Sequence, residues 1–430
     1  MENAREIVLE ALLLYDKGNE FSDKVLSDIL SKYAYLEKND RALIDRLFSG
    51  VVERRLTLDY IINQFSTVKI NKQKPVIRTI LRMGVYQICF MNSIPDSAAV
   101  NEAVKLAKRK KFNNLSGFVN GVLRAVTKNK DSIVFPDRNK NYVNYLSVVY
   151  SCPEWLCSHY IDEIGENETE ELLKQSAERK PLYGRVNLSK TSRDDLLKKL
   201  KEEGVDAAPV DLYEGAIVIK SLDSLYSLDS FNEGLFTIQD LSSQLVVGRE
   251  NIKKGDLVID VCAAPGGKSI HALDKGASVI ARDLTQRKVE KIEENANRCC
   301  FDITAQVWDA LEFDESLRQK ADVVIADLPC SGLGVIGRKA DIKYRVTKED
   351  LESLAALQKE ILNVVYDYVK PGGTLIYSTC TINKLENEEN ADWIEKNLTF
   401  EKKSEYTKFI PGMIKEFDTD GFFISRFVRI

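Results

Sequence analysis

The chain has 430 residues, of which 44% are apolar and 30% charged, and its formal net charge is -5. This composition is typical of a globular protein of about two to four domains and excludes a largely disordered or fibrous chain. No apolar run reaches the ~18 residues of a membrane helix, and the acidic, amphipathic start is unlike a secretory signal. We therefore expect a cytoplasmic protein and, because no apolar face stands out, a monomer.

Cysteine and histidine usage argues against two kinds of site. The eight cysteines are scattered through the chain without a CxxC pair, so neither a disulfide framework nor a zinc site is predicted. Only two histidines occur, His159 and His271. A metal-dependent hydrolase is therefore a poor fit, and we expect no bound metal.

Residues 1–130 show helical periodicity and no strand signal. Leu43, Leu47 and Val51 recur at helical spacing, and Asp40 is predicted to cap their helix. Further helices are predicted over 76–91 and 98–111. The pattern predicts an all-α domain of about five to seven helices.

Charge is distributed unevenly along the chain. Residues 1–130 contain 22 Lys and Arg against 14 Asp and Glu, a net of +8, which leaves -13 for the remainder. A basic module joined to an acidic body is typical of a polyanion-binding arm on an enzyme. A helical face that is exposed to solvent, with no bound polyanion, explains the same basic residues equally well.

A polar linker is predicted over 131–145, followed by a small α/β segment over 146–233. In this segment Tyr183–Leu188 and Ala216–Lys220 have the composition of strands, and the stretch between them, from Ser192 to Glu203, is helical. The third domain is predicted over 234–430.

Strands and helices alternate from residue 234 onward. Such alternation predicts a parallel sheet covered by helices on both faces, with ligands bound at the carboxyl ends of the strands. The predicted strands are 257–261, 278–282, 303–308, 322–327 and 374–379. The predicted helices are 267–274, 285–298, 348–369 and 385–396.

A cofactor site is predicted where the first three of these strands end. The first strand runs into a loop of small residues that opens a helix, and Asp283 and Asp309 end the next two strands. Small residues admit close ligand approach, helix N-termini bind anionic groups, and an acid after the second strand accepts ribose hydroxyls. The loop consists of Cys262, Ala263, Ala264, Pro265, Gly266, Gly267 and Lys268.

This arrangement favours S-adenosylmethionine over NAD or ATP. The phosphate-binding GxxxxGK[ST] pattern is absent from the sequence. One GxGxxG occurs, over 332–337, but it follows the fourth strand and no apolar helix comes after it. It therefore lacks the context of a dinucleotide site, and we interpret it as a flexible loop.

Two cysteines, Cys330 and Cys380, follow neighbouring strands at the edge of the cofactor site, and Asp327 precedes the first of them. Buried structural cysteines are the common alternative, and Cys89 fits it. A pair of thiols beside a carboxylate suits attack on a pyrimidine. Addition of a thiolate at carbon 6 makes carbon 5 nucleophilic enough to accept a methyl group, which is covalent catalysis.

The motifs CAAPGGK, DLPCSG and YSTCT, in this order, resemble the cytosine-5 RNA methyltransferase family. The stretch 239–244 and the ending around 411–423 are similar to the same family's sequences. The segments 41–60, 77–105 and 117–124 resemble the NusB-type RNA-binding domain. The resemblance implies an all-α NusB-like domain and a small α/β segment, followed by a Rossmann-like, S-adenosylmethionine-dependent methyltransferase domain.

The resemblance also implies roles for individual residues. Cys380 would be the nucleophile, Cys330 would assist product release through proton removal, and Asp327 would contact the base near the methyl donor. The loop 262–268 would wrap the methionine part of the cofactor. Asp283 would hold the ribose, and Asp309 would lie by the adenine.

The implied substrate is a cytidine of small-subunit (16S) ribosomal RNA. Transfer RNA is an open alternative, and so is an RNA-binding factor without catalysis. The motif Arg185-Val186-Asn187 is interpreted as structural or RNA-facing. We expect Tyr344 to stack on a flipped base and a group of basic residues to line the RNA path, namely Arg338, Lys339, Lys343 and Arg345.

Overall fold

The computed structural model describes residues 3–18, 20–178, 180–222, 224–414 and 416–430. The chain divides into two compact units. Unit 1 comprises Met1–Ala177 and Arg338–Arg345, and unit 2 comprises Glu178–Gly337 and Val346–Ile430. Within the described ranges, no helix has the length and apolar character needed to cross a membrane.

Unit 1 is all-α, as predicted for residues 1–130, but it also includes the predicted linker and residues 146–177, which were assigned to the small α/β segment and form helices instead. The first seven of its helices enclose one apolar core, in which Val8, Ile44, Leu58 and Ile80 are fully buried. The helices α1 to α10 span Ala4–Lys17, Ser22–Lys32, Lys38–Glu53, Arg55–Phe65, Pro75–Phe90, Asp96–Arg109, Ser116–Asn129, Tyr142–Tyr150, Glu154–Ile164 and Glu166–Ser176.

The predicted cap of α3 is wrong. Helix α3 begins at Lys38 with Glu37 at the N-cap, so Asp40 lies inside the first turn. An acidic side chain in the first turn still favours the helix, because it faces the positive end of the helix dipole.

Unit 2 begins with a small antiparallel sheet of order β2-β3-β1-β4. Two of its strands and one helix were predicted, whereas β2 and β4 are only four and three residues long and carry no periodic pattern. The strands β1 to β4 span Leu182–Val186, Asp206–Pro209, Ala216–Ser221 and Phe236–Ile238. The helices α11 to α13 span Arg193–Glu202, Asp229–Asn232 and Leu241–Gly248.

A second sheet of eight strands forms the body of unit 2. All five predicted strands are present, and the pairs β5–β6, β5–β8, β6–β7 and β8–β9 are parallel. Its order is β10-β12-β9-β8-β5-β6-β7, with β11 paired to β12. The strands β5 to β12 span Leu257–Asp260, Ser278–Asp283, Thr304–Val307, Ala321–Asp327, Val369–Thr379, Phe400–Lys402, Thr407–Phe409 and Phe422–Arg429. The helices α14 to α18 span Gly267–Asp274, Gln286–Arg298, Ile342–Arg345, Lys348–Val365 and Glu388–Asn397, and of these α16 belongs to unit 1.

Both faces of this sheet are buried, which explains the apolar strands. Along β8, Val324 and Ala326 belong to one buried cluster, while Val323 and Ile325 belong to another. Successive side chains of a strand point to opposite faces, so an unbroken apolar run indicates helices or loops on each side. The Rossmann-like prediction is confirmed.

The segment 338–345 belongs to unit 1, and Tyr344 and Lys343, which were predicted to contact RNA, pack within that unit instead. The Tyr344 hydroxyl lies 2.8 Å from Ser151 Oγ and donates to Glu53 O at 2.8 Å, so its ring is not presented for stacking. Lys343 is only 6% exposed. The Arg345 guanidinium pairs with Asp341. These contacts give Lys343, Tyr344 and Arg345 structural roles. Arg338 and Lys339 are exposed, and their place along an RNA path stays a prediction.

Candidate active site

The loop 262–268 joins β5 to α14 at the carboxyl edge of the large sheet. Gly266 has a φ of +100°, a conformation that favours glycine, and its N–H donates to Ala263 O at 2.7 Å. The Ala264 N–H donates to Asp283 Oδ2 at 3.0 Å. The glycine turn therefore aligns the loop with the end of the neighbouring strand β6.

A cavity of about 370 Å³ lies beside this loop, and we call it the acidic cavity. Asp283 and Asp309 both line it, as do the apolar side chains of Trp308 and Leu311. Asp283 accepts from Leu284 N at 2.8 Å and from Lys288 Nζ at 2.8 Å. Asp309 accepts from Leu311 N at 3.0 Å.

The acidic cavity suits a nucleoside. A carboxylate has about four acceptor sites, so both acids keep capacity for hydroxyl or amino donors of a ligand. Apolar side chains alongside such polar groups are the usual surroundings of a flat heterocycle. The residues present thus fit S-adenosylmethionine, and the two acids among them, Asp283 and Asp309, were predicted from their positions at strand ends.

A second cavity of about 270 Å³, the lysine cavity, lies on the other side of the loop. Lys268, Gln239, Asp260 and Phe422 line it, and the Lys268 ammonium lies 5.5 Å from the centre of the Phe422 ring. Four residues line both cavities, namely Cys262, Ala264, Asp327 and Cys380. A ligand in the acidic cavity would therefore lie next to one in the lysine cavity.

Asp327 is fixed by two side chains at the end of β8. One oxygen accepts from Ser378 Oγ at 2.8 Å, and the other forms an ion pair with Lys268. Burial lowers the pKa of Lys268, but the charge and hydrogen bond of Asp327 outweigh burial and leave it raised. Lys268 is thus a cation whose position is set by Asp327.

Asp260 is a fully buried acid at the end of β5. Burial raises its pKa to about 7, and the hydrogen bond from Ser269 Oγ, at 2.6 Å, opposes the shift. Asp260 Oδ1 has no hydrogen-bond partner. Burial also raises the pKa of the Cys262 thiol, and the negative charge of Asp283 is the next largest cause. Cys262 is therefore a packing residue of the loop rather than a nucleophile.

Cys330 and Cys380 meet directly, with their sulfur atoms 3.0 Å apart. Their loops follow β8 and β9, which are paired in parallel so that Asp327 lies beside Ser378. The pKa of Cys330 is raised well above its usual value, first by its hydrogen bond to Cys380 and then by burial. Both cysteines are half-buried and unoxidised.

The loop 332–337 is ordered by backbone hydrogen bonds, so its interpretation as flexible is wrong. Gly334 N donates to Cys380 O at 3.0 Å, and Gly421 N donates to Gly334 O at 2.8 Å. A Cβ at Gly334 would come within 2.0 Å of Gly421 O. The glycine is needed because three backbone segments meet beside Cys380.

Arg185 and Asn187 are both fully buried, which excludes the RNA-facing alternative for them. Arg185 Nε donates to Gln239 Oε1 at 2.9 Å and thereby orients an amide that lines the lysine cavity. Sequence reasoning did not assign Gln239, Asp260, Lys288 or Trp308 to the site. Asp260, Lys288 and Trp308 lie at or near the ends of predicted strands or helices, which is a signal that could have marked them. Gln239 has no such neighbour and lies in the stretch 239–244, where the resemblance is the available signal.

The structure brings most of the predicted site residues to the two cavities. Asp327, Cys380 and Cys330 form one cluster, while Asp283 and Asp309 lie across the acidic cavity. Of the predicted loop, Gly266 is not among the residues lining either cavity. Among the described residues, no group of three or more His, Cys, Asp or Glu side chains has a metal-binding arrangement.

Three family models match consecutive parts of the chain. A model described as "16S rRNA methyltransferase RsmB/F" matches residues 250–428, and the NusB family model matches 2–128. A third model, described as a "Methyltr_RsmF/B-like, ferredoxin-like domain", matches residues 152–224. Together they cover both compact units.

Several named proteins are similar over almost the whole chain. "Probable ribosomal RNA small subunit methyltransferase B" of Bacillus subtilis (strain 168) is 34% identical, with 97% of this chain and 94% of that protein covered. "Ribosomal RNA small subunit methyltransferase B" of Photorhabdus laumondii subsp. laumondii is 30% identical, with 99% of each covered.

Solved structures share the fold. The crystal structure of PH0851 has a TM-score of 0.81 and 23% identity and covers 99% of each chain. The structure of NSun6 from Pyrococcus horikoshii with SFG has a TM-score of 0.58 and 22% identity, covering 64% of this chain and 98% of that one.

Proposed function

Because this chain belongs to the family of the bacterial ribosomal RNA small subunit methyltransferase B, we propose that it methylates carbon 5 of a cytidine in 16S ribosomal RNA. The observation that carries the proposal is the contact between Cys330 and Cys380, 3.0 Å apart, beside Asp327. A ribosomal RNA substrate would place the reaction in the cytoplasm, as composition predicts.

We propose S-adenosylmethionine as the methyl donor. When bound, it supplies a methyl group on a sulfonium sulfur that a carbon nucleophile can take. Asp283 would hold its ribose, Asp309 would lie by its adenine, and the loop 262–268 would contact its methionine part. SFG, an analogue of this cofactor, is present in the related NSun6 structure.

The lysine cavity is the proposed position of the target base. The Cys380 thiolate adds to carbon 6, forming a carbon–sulfur bond and giving carbon 5 the electron density to accept a methyl group. Asp327 and Lys268 stabilise the adduct by contacting the base at ring nitrogen 3 and at the atoms beside it. Their mutual ion pair presents both charges at the edge shared by the two cavities.

Cys330 then takes part in product release. Its raised pKa depends first on the hydrogen bond with Cys380. Once the Cys380 sulfur is bonded to the base, that interaction is lost, and Cys330 can release its proton to water. The Cys330 thiolate removes the proton from carbon 5, the carbon–sulfur bond breaks, and Cys380 leaves as a thiolate.

Methyl transfer from labelled S-adenosylmethionine to unmodified 16S ribosomal RNA tests this proposal, with transfer RNA in a parallel reaction. We expect label in cytosine of the ribosomal RNA alone and no turnover by Cys380→Ala. Label only in transfer RNA would overturn the substrate, and full activity of Cys380→Ala would overturn the mechanism. Cofactor binding without transfer to either RNA would favour a binding factor.

A further inference from the structure

Glu386 is a fully buried carboxylate located just before α18. Its Oε1 accepts from Ser331 Oγ at 2.5 Å and from Asn383 Nδ2 at 3.1 Å. Its Oε2 accepts from Ser331 N at 2.9 Å and from Gln358 Nε2 at 3.0 Å. All four donors are neutral, and a buried charge is tolerated only when such bonds satisfy it.

Three of these bonds fix the loop that carries Cys330. Ser331, which follows the cysteine, donates both its N–H and its hydroxyl to Glu386. Gln358 bridges Glu386 to the other side of the cysteine, because its Nε2 also donates to Pro329 O at 2.8 Å. The backbone before and after Cys330 is therefore held by one carboxylate and its amide partner.

The same carboxylate reaches the loop that carries Cys380. Asn383, three residues after that cysteine, donates to Glu386. Thr381 follows Cys380 directly, and its Oγ1 lies 2.8 Å from Ser331 Oγ. Glu386 thus connects both loops at a point where their sulfur atoms are 3.0 Å apart.

The charges around the two sulfur atoms are unequal. Three groups that are negative or can become negative act on Cys330, namely Cys380, Glu386 and Asp327. Each of them favours the protonated form of Cys330. Lys268, a cation that lines the lysine cavity together with Cys380, interacts electrostatically with that cysteine. When the pair of thiols loses one proton to solvent, the two sulfur atoms share the proton that remains, and this field favours that proton on Cys330 and the negative charge on Cys380.

We propose that Glu386 is a positioning residue that holds the Cys330 sulfur against the Cys380 sulfur and keeps their shared proton on Cys330. Cys380 then carries the thiolate that attacks the base. The inference rests on the proposed function for the identity of that reaction, but the state of the two thiols is measurable without RNA.

Competitive alkylation of the full-length protein by iodoacetamide tests the proposal. Each thiolate that attacks the reagent forms a carbon–sulfur bond and releases iodide, so the rate at each cysteine reports its thiolate fraction. Peptide mass spectrometry over a range of pH gives the rates for Cys330 and Cys380 separately. In the wild type we expect Cys380 to react faster and to titrate at lower pH.

Glu386→Gln removes the charge and is expected to lower the Cys380 to Cys330 rate ratio by about fivefold or more, with Cys330 titrating at lower pH. Glu389→Gln is the matched control, because Glu389 is an exposed acid three residues away. We expect this control to keep the ratio within about twofold of the wild type.

Ser331→Ala provides a milder variant that removes one hydroxyl and no charge. We expect an intermediate decrease in the rate ratio. If Glu386→Gln does not fold, the rate ratio of Ser331→Ala decides the test. Unchanged ratios and unchanged pH profiles in the folded variants would overturn the proposal. A changed ratio in a protein that methylates no RNA would support the role of Glu386 and refute the proposed function instead.

Discussion

Asp260 shows how burial sets the chemistry of a single residue at this site. Its carboxyl is buried, lines the lysine cavity and has a pKa of about 7. In the unfolded chain the same group ionises near pH 4. Between these two values the folded state holds a proton that the unfolded state has lost, so stability decreases as the pH rises through this window.

Replacing this acid is expected to remove that pH dependence. Asp260→Asn keeps an oxygen to accept from Ser269 Oγ but cannot ionise. The free energy of unfolding of the variant, relative to that of the wild type, should increase by on the order of 4 kcal/mol as the pH rises from 4 to 8. Melting temperatures of both proteins across this range check the prediction, with exposed Asp302→Asn as control. A difference in melting temperature between variant and wild type that is the same at every pH would contradict the prediction.

A second residue, Asp283, is expected to control cofactor affinity. Asp283→Ala removes the acceptor proposed for the ribose and also leaves the Ala264 and Leu284 N–H groups without their partner. We expect S-adenosylmethionine to bind about tenfold more weakly or worse, measured by calorimetry. Glu293→Ala, an exposed acid on α15, should bind normally. Equal affinities for the two variants would exclude this role for Asp283.

At the scale of elements, the carboxyl ends of parallel strands assemble the site. Strands β5, β6 and β8 each end in an aspartate, and Cys380 directly follows β9. Strand ends could be predicted because buried strands are recognisable by their apolar runs. The site therefore depends on loops that are short and closely packed.

Gly334 is the clearest case of such close packing. Gly334→Ala would place a methyl group within 2.0 Å of Gly421 O and 2.8 Å of Cys380 O. We expect a loss of at least about 2 kcal/mol in stability and a large loss of methyl transfer, because the Cys380 backbone must move. Gly121→Ala, in α7 with open space around it, should be neutral or slightly stabilising. Equal behaviour of both variants in thermal unfolding and turnover would refute this.

The burial of some polar residues could not be predicted from the sequence pattern, for physical reasons. Glu386 belongs to a stretch of acids and amides that predicts an exposed helix, yet it is buried, because three of its four hydrogen-bond donors come from residues 28 to 55 positions away. Tyr344 and Lys343 have the composition of an RNA-binding surface, but they pack within unit 1 through long-range contacts. Local periodicity contains no information about such partners.

At the scale of the whole molecule, a basic helical module and an acidic catalytic body are joined in one chain. The module carries a net charge of +8 and the remainder -13, so long-range attraction of RNA would act on the first 130 residues. The chain enters unit 1 again at 338–345, shortly after Cys330, before it returns to unit 2. The loop that carries Cys330 is thus continuous in sequence with a segment of the helical unit.

The most direct measurement of the central claim uses the full-length Cys330→Ala variant with S-adenosylmethionine and unmodified 16S ribosomal RNA, resolved on a denaturing gel. Because this variant lacks the thiol proposed to remove the carbon-5 proton, we expect RNA to remain covalently attached through Cys380 as a slowly migrating band. The band should be absent from the Cys330→Ala, Cys380→Ala double variant. No band with Cys330→Ala, under conditions where the wild type methylates, or a band that persists in the double variant, would contradict the account.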